Sequence, residues 1–264
     1  MEAAILQMQV TCGRPKENIA CLKKLAAKAM EQRPDVLLLP ELWLTGFYPR
    51  PIRSYADISG QKTCALLSAL AQKYQVNVIG GTVPSILGDK VFNTSYIFDR
   101  SGQLVTTYQK THLFSPSGED KDFSAGDKLV TFYLDGIKCG ILVCYDLRFP
   151  EAVRQLTLAG ISLLFIPAAW PNKRLLHWQT LIRSRAIENQ LFVIACNAAG
   201  TDASGQQLAG HSALIDPWGE LLAEADTDET ILQGNIQPAV QKQIRETIDV
   251  FRDRRPSLYK KTPI

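Results

Sequence analysis

The sequence lacks long apolar runs, paired cysteines and a useful supply of histidine, and each shortage removes a class of protein. No uninterrupted apolar stretch approaches the roughly 20 residues needed to span a bilayer. The opening MEAAILQMQVT has neither the basic region nor the long apolar region of a signal peptide, and suits a first strand better. The six cysteines never form C-x-x-C, so neither a zinc site nor a disulfide framework is signalled, and a reducing, cytoplasmic location is expected. There is no H-E-x-x-H cluster for a metallohydrolase and no G-x-G-x-x-G after a strand for a dinucleotide enzyme, so no metal or cofactor is expected. The three histidines, His112, His177 and His211, do not stand in the nucleophile–His context of a papain-like hydrolase. The net charge of +3 is spread without a basic block, which argues against nucleic-acid binding. The one local excess, Arg252, Asp253, Arg254 and Arg255 with Lys260 and Lys261, reads as a solvated or subunit-contacting tail.

What is present is an ordinary globular composition, 46% hydrophobic and 21% charged, arranged as a repeat. AILQMQV (4–10) leads to an amphipathic helix near 15–32, strand DVLLLPE (35–41), a helix near 61–74, and strands VNVIGGT (76–82) and TSYIFD (94–99). The second half runs GILVCYD (140–146), a helix near 149–159, ISLLFIP (161–167), a helix near 173–190, LFVIACN (191–197) and HSALID (211–216). Details repeat as well as order. Pro40 and Trp43 in LLLPELW stand at the offset of Pro167 and Trp170 in LFIPAAW, and SYIFDRSG shares Ser, Asp and Gly with SALIDPWG. Two β-α-β-α-β-β halves give two sheets, each with one face to cover by helices and one by something apolar. Sheet on sheet with helices outside satisfies both, a four-layer αββα sandwich formed by residues 1–264 as one α/β domain.

Three segments carry polar groups where strands end. Glu41 follows four apolar residues and a proline, Lys110 lies in YQKTHLFSPSGED, and Cys144 closes GILVCYD just before a helix. A side chain at a strand-to-helix turn stands beside free backbone N–H groups, which favour a thiolate and can bind a developing oxyanion. The repeat suggests that DVLLLPE and GILVCYD are neighbouring strands ending on one side of the fold. A carboxylate, an ammonium and a thiol there would be a complete set for acyl transfer.

LLLPELWLTGFYP, YQKTHLFSP and GILVCYDLRFPE resemble the three catalytic blocks of the nitrilase, or carbon–nitrogen hydrolase, superfamily. The resemblance runs nearly end to end through RAIEN (185–189) and GHSALIDPWG (210–219), and PAAWPNKRLLHWQTLIRSRAIENQLFVIACNAAG (167–200) is most similar to the omega-amidase-type branch. It implies Glu41 as general base, Cys144 as nucleophile, Lys110 and the Tyr145 N–H as oxyanion donors, and Glu119 as a residue positioning Lys110 or the substrate. It also implies a small-molecule amide as substrate, monoamides of short dicarboxylic (2-oxo) acids foremost, and a homodimer with the tail of about 240–264 at the subunit interface. The same three residues would serve a nitrile or carbamoyl substrate, and a catalytically silent scaffold would share the fold. The pocket is expected from Phe47, Tyr48, Phe114, Arg148 and Trp170, beside those blocks. Arg148 could grip a substrate carboxylate two-pronged, or be tied in a salt bridge to Asp146 or Glu151. Arg185 and Glu188, one helical turn apart, read as a structural ion pair.

Overall fold

The computed structural model describes residues 1–259. Its first half contains β1 (Glu2–Gln7), β2 (Gln9–Val10), α1 (Pro15–Ala29), β3 (Val36–Leu38), β4 (Asp57–Ile58) and α2 (Gln61–Tyr74). Then come β5 (Asn77–Ile79), β6 (Val83–Leu87), β7 (Lys90–Phe98), β8 (Leu104–Gln109) and the single turn α3 (Glu119–Asp122). The second half opens with β9 (Thr131–Leu134), β10 (Ile137–Ile141), α4 (Pro150–Leu158), β11 (Leu163–Ala168), α5 (Leu175–Asn189) and β12 (Phe192–Asn197). It ends with β13 (Ala199–Gly200), β14 (Ala213–Ile215), β15 (Leu221–Glu224), β16 (Thr230–Asn235) and α6 (Pro238–Thr247).

Two sheets form, one of eight strands in the order β16-β1-β3-β5-β7-β6-β4 with β8 on β7, and one of six in the order β15-β14-β12-β11-β10-β9. The repeat read from the sequence is visible in the pairing. In the larger sheet β1–β3 and β3–β5 are parallel and β5–β7 antiparallel. In the smaller, β10–β11 and β11–β12 are parallel and β12–β14 antiparallel.

Strands buried on both faces read as continuous apolar runs, and their alternation sorts residues into layers. Ala3, Ile5, Val36 and Leu38 share a core with Ile141 and Phe165 of the other sheet, whereas Ala4, Leu6, Leu37 and Leu39 pack with Leu22, Ala26 and Leu67 of α1 and α2. On the far side Val153, Leu156, Trp178 and Ile182 of α4 and α5 cover the smaller sheet. Gly140 makes room for that cover, since a Cβ there would stand 3.0 Å from Ile161 and 3.3 Å from Leu156. The layers are therefore helix, sheet, sheet, helix. Burying each Leu, Ile or Phe of these layers contributes about 1.5–3 kcal/mol.

Two expectations change. TSYIFD is only the last part of the longer β7, and β6, β8, β9, β15, β16 and α6 are additional elements. β8 and β15 are mostly exposed or half-buried and so give no continuous apolar run. DVLLLPE and GILVCYD are also not neighbours, because β3 and β10 belong to different sheets. The tail folds back on its own chain as far as it is described. Gln241 donates to the Gln190 carbonyl at 2.8 Å, and Gln190 donates to the Ile248 carbonyl at 2.7 Å. Lys260 and Lys261 lie outside the described residues. Among the described residues no helix is long and apolar enough to cross a membrane.

Candidate active site

Cys144 does not end a strand. β10 stops at Ile141, and Cys144 opens a tight 3-10 turn over Cys144–Arg148 with φ of +47°. A left-handed backbone at a non-glycine residue costs about 1–3 kcal/mol and must be held by its surroundings. Asp146, wholly buried, accepts the Val143 N–H at 2.9 Å from inside the turn. The same carboxylate accepts the Tyr108 hydroxyl at 2.8 Å, the Thr111 hydroxyl at 3.0 Å and the His112 N–H at 2.8 Å. Arg185 donates twice to the Leu147 carbonyl, at 3.0 and 2.8 Å, and pairs with Glu188 at 2.8 Å, the ion pair expected from their spacing. The turn is thereby fastened to the Lys110 segment on one side and to α5 on the other. The N–H of Tyr145, at the start of the turn, has no acceptor among the described residues.

Glu41 reaches Cys144 across the sheet-to-sheet seam. Its N–H donates to the Ala168 carbonyl at 3.3 Å, and its Oε2 accepts the Ala169 N–H at 3.0 Å, joining the ends of β3 and β11. Gly81, with φ of +55°, lets its own segment pass close to the residues before Glu41, because a Cβ there would sit 2.1 Å from the Pro40 carbonyl oxygen. Lys110 Nζ lies 2.8 Å from Glu41 Oε1 and 2.8 Å from Glu119 Oε2, with all three side chains buried. Glu119 also accepts the Phe114 N–H at 2.6 Å. Asn93 completes the cluster, donating to Glu41 Oε1 at 2.9 Å and to Glu119 Oε1 at 3.1 Å.

Burial first, then Glu41, pushes the Cys144 thiol well above its ordinary range, against the pull of Lys110. Burial likewise raises Glu41, opposed by Lys110 and reinforced by Glu119. Burial alone would lower Lys110, but Glu119 and Glu41 outweigh it and the ammonium is held well above its usual value. Burial and the facing Glu41 thus favour the neutral thiol over the thiolate. The turn's N–H groups do not keep it ionised, because desolvation and a facing carboxylate are the larger effects.

Cys144 stands in a cavity of about 360 Å³. Of the residues expected there, Phe47, Phe114, Arg148 and Trp170 line it, as does Tyr145. Tyr48 does not. It is buried between Phe47 and Phe123, at ring distances of 5.1 and 5.4 Å, and faces a separate hollow. Arg148 is not tied to Asp146 or Glu151. Its guanidinium lies over the Trp170 ring, 4.7 Å from the centroid, and 3.2 Å from His177 Nδ1, with no ion pair among the described residues.

Lys173 and Arg174 line the same cavity and were not anticipated, although adjacent cations directly after the AAWPN segment were a usable signal. Burial, then Arg148, holds Arg174 below its ordinary range, as expected of cations crowding one space. Asp202 is a carboxylate on the wall facing them. Asn93 and Asp146 carried no sequence signal, since a lone polar residue in a strand or turn has many possible partners.

The carbon–nitrogen hydrolase family model matches residues 2–246. The chain is 42% identical over 254 residues to the 2-oxoglutaramate amidase of Bacillus subtilis, covering 96% of this chain and 97% of that one. It is 32% identical to the human omega-amidase NIT2, over 97% of this chain and 95% of that one. The crystal structure of Saccharomyces cerevisiae Nit3, a member of branch 10 of the nitrilase superfamily, superposes with a TM-score of 0.86 at 29% identity, covering 95% of this chain and 94% of that one. With the αββα fold and a buried Glu–Lys–Cys cluster in place, this chain belongs to the carbon–nitrogen hydrolase family.

Proposed function

We propose that this chain is a single-domain cysteine amidase acting on monoamides of short dicarboxylic acids, 2-oxo acids included. The observation that carries the reading is one arrangement. A neutral thiol sits beside a buried carboxylate at a cavity that also holds Arg148, Lys173 and Arg174. Three cations against the single carboxylate of Asp202 favour a substrate that carries negative charge away from its amide. Arg148, without an ion pair among the described residues and braced on Trp170, offers a planar fork for a carboxylate. The names of the relatives, 2-oxoglutaramate amidase and omega-amidase, support the same substrate class.

In this mechanism the amide carbonyl carbon lies against Cys144 Sγ. Glu41 takes the thiol proton as the S–C bond forms, and the carbonyl oxygen becomes an oxyanion facing Lys110 and the Tyr145 N–H. Such a donor is worth about 3–4 kcal/mol in the transition state. Glu41 returns the proton to the substrate nitrogen, the C–N bond breaks, and ammonia leaves a thioester. Water then attacks the thioester with Glu41 again as base, and the proton goes back to the sulfur as the carboxylic acid departs. Two easier steps replace one difficult attack on an amide. Because burial and Glu41 favour the thiol over the thiolate, proton transfer to Glu41 belongs with substrate attack in this mechanism. Glu119 holds Lys110 in place at 2.8 Å.

The exposed Leu176 and Ile187, on one outer face of α5, support a homodimer, which light scattering at several concentrations tests. Function is tested by incubating the protein with 2-oxoglutaramate, a neutral amide of similar length, a nitrile and an N-carbamoyl amine, and measuring ammonia. Release from the charged monoamide at least tenfold faster than from the others is expected. Preference for any other member of the panel would refute the substrate class.

A further inference from the structure

We infer that Asn93 is a positioning residue for the reaction, directing the Cys144 proton to one chosen oxygen of Glu41. The inference rests on the acid–base role proposed for Glu41.

Asn93 lies within β7, 1% exposed, and bonds to Glu41, Lys110 and Glu119. Its backbone carbonyl accepts the Lys110 N–H at 2.9 Å, so it fixes where the lysine leaves its strand. Its side-chain nitrogen has two protons, and they go to Glu41 Oε1 at 2.9 Å and Glu119 Oε1 at 3.1 Å. Lys110 Nζ also binds Glu41 Oε1, at 2.8 Å. A carboxylate oxygen has two lone-pair sites, so Oε1 of Glu41 is fully engaged. Oε2 has one site filled by the Ala169 N–H and one open. Without Asn93, both oxygens could take the thiol proton. With Asn93, only Oε2 has room.

The orientation of the Asn93 amide supports a role beyond packing. Its Oδ1 is buried and has no hydrogen-bond partner among the described residues. Reversing the amide would set that oxygen against two carboxylate oxygens, so the neighbours dictate the orientation and the oxygen stays unmatched. Two N–H dipoles also favour the ionised forms of two facing carboxylates that share one lysine, without adding another charge.

The test uses Asn93→Leu, similar in size but without donors, and Asn93→Ala, which leaves space. For each, kcat and KM for the monoamide, the melting temperature, and the pH dependence of inactivation by iodoacetamide are measured. The last reads proton transfer from Cys144 to Glu41 without reference to any substrate. In variants melting within about 5 °C of the parent, kcat should fall about 100-fold while KM changes by less than about threefold. Losing N–H donors to Glu41 favours its protonated form, so the acid limb of inactivation should move to higher pH by about one unit. An unmoved limb, or failure of both variants to fold, assigns Asn93 a merely structural role and overturns the inference. A moved limb in a protein that hydrolyses no monoamide would uphold the inference while refuting the substrate class.

Discussion

Glu41 and Ala168 occupy equivalent places in the two halves of the repeat, and the Glu41 N–H donates to the Ala168 carbonyl at 3.3 Å. The junction of the two halves is thus where the carboxylate approaches the thiol. One half supplies Glu41 and Lys110, the other supplies Cys144, and the sheet-on-sheet core sets their separation.

Replacing Cys144 by Ala should abolish ammonia release with little change in melting temperature, because a thiol-to-hydrogen change is small. Ala or Ser at Cys12, Cys21, Cys64, Cys139 or Cys196, taken singly, should leave kcat near the parent value. Turnover above a trace in the Cys144 variant would remove the nucleophile from the mechanism.

Arg148→Lys should discriminate between substrates. Lysine keeps the charge but loses the two-point fork, forfeiting about 1.5–3 kcal/mol of charge-assisted bonding. That is roughly a ten- to hundredfold fall in kcat/KM for charged monoamides, with neutral amides largely spared. An equal loss on both would show that Arg148 supports the wall through Trp170 and leaves the carboxylate to another group.

The pH profile follows from Glu41. Burial raises its carboxyl above the ordinary range, so the base is protonated, and activity lost, at a higher pH than a free glutamate would give. The stability linked to this group has the opposite sense. It is fully present below the ordinary carboxylate pKa and lost as pH rises through the raised value, since the folded state holds the proton more tightly. Measured kcat/KM from pH 4 to 9 should show an acid limb above the model-peptide value for glutamate of about 4.3. A limb at or below that value would exclude Glu41 as the base.

Asp146→Ala should destabilise the protein by about 3 kcal/mol, because it leaves the Val143 N–H and three other residues' donors without their buried acceptor. At about 2–4 °C per kcal/mol for a chain of this size, the melting temperature should drop visibly. Activity should fall with it, since the left-handed backbone at Cys144 loses its support. An unchanged melting curve would mean that Arg185 alone holds the turn.

The order of elements, the two-fold repeat and the αββα layering were legible because buried strands and amphipathic helices leave apolar periodicities that survive in one dimension. Glu41, Lys110 and Cys144 stood out as candidates because each puts a polar or reactive group just beyond an apolar or strand-like run, and the neighbouring blocks resemble one family. The expected adjacency of DVLLLPE and GILVCYD failed for a physical reason: a repeat shows which strands are equivalent, whereas the packing of one sheet on the other decides which strand ends meet. Only that packing made Arg148 a cavity residue free of Asp146, turned Tyr48 away between Phe47 and Phe123, and placed Asn93 between two glutamates. It also set the protonation of Cys144, because desolvation depends on everything packed around a group and not on its neighbours in the chain.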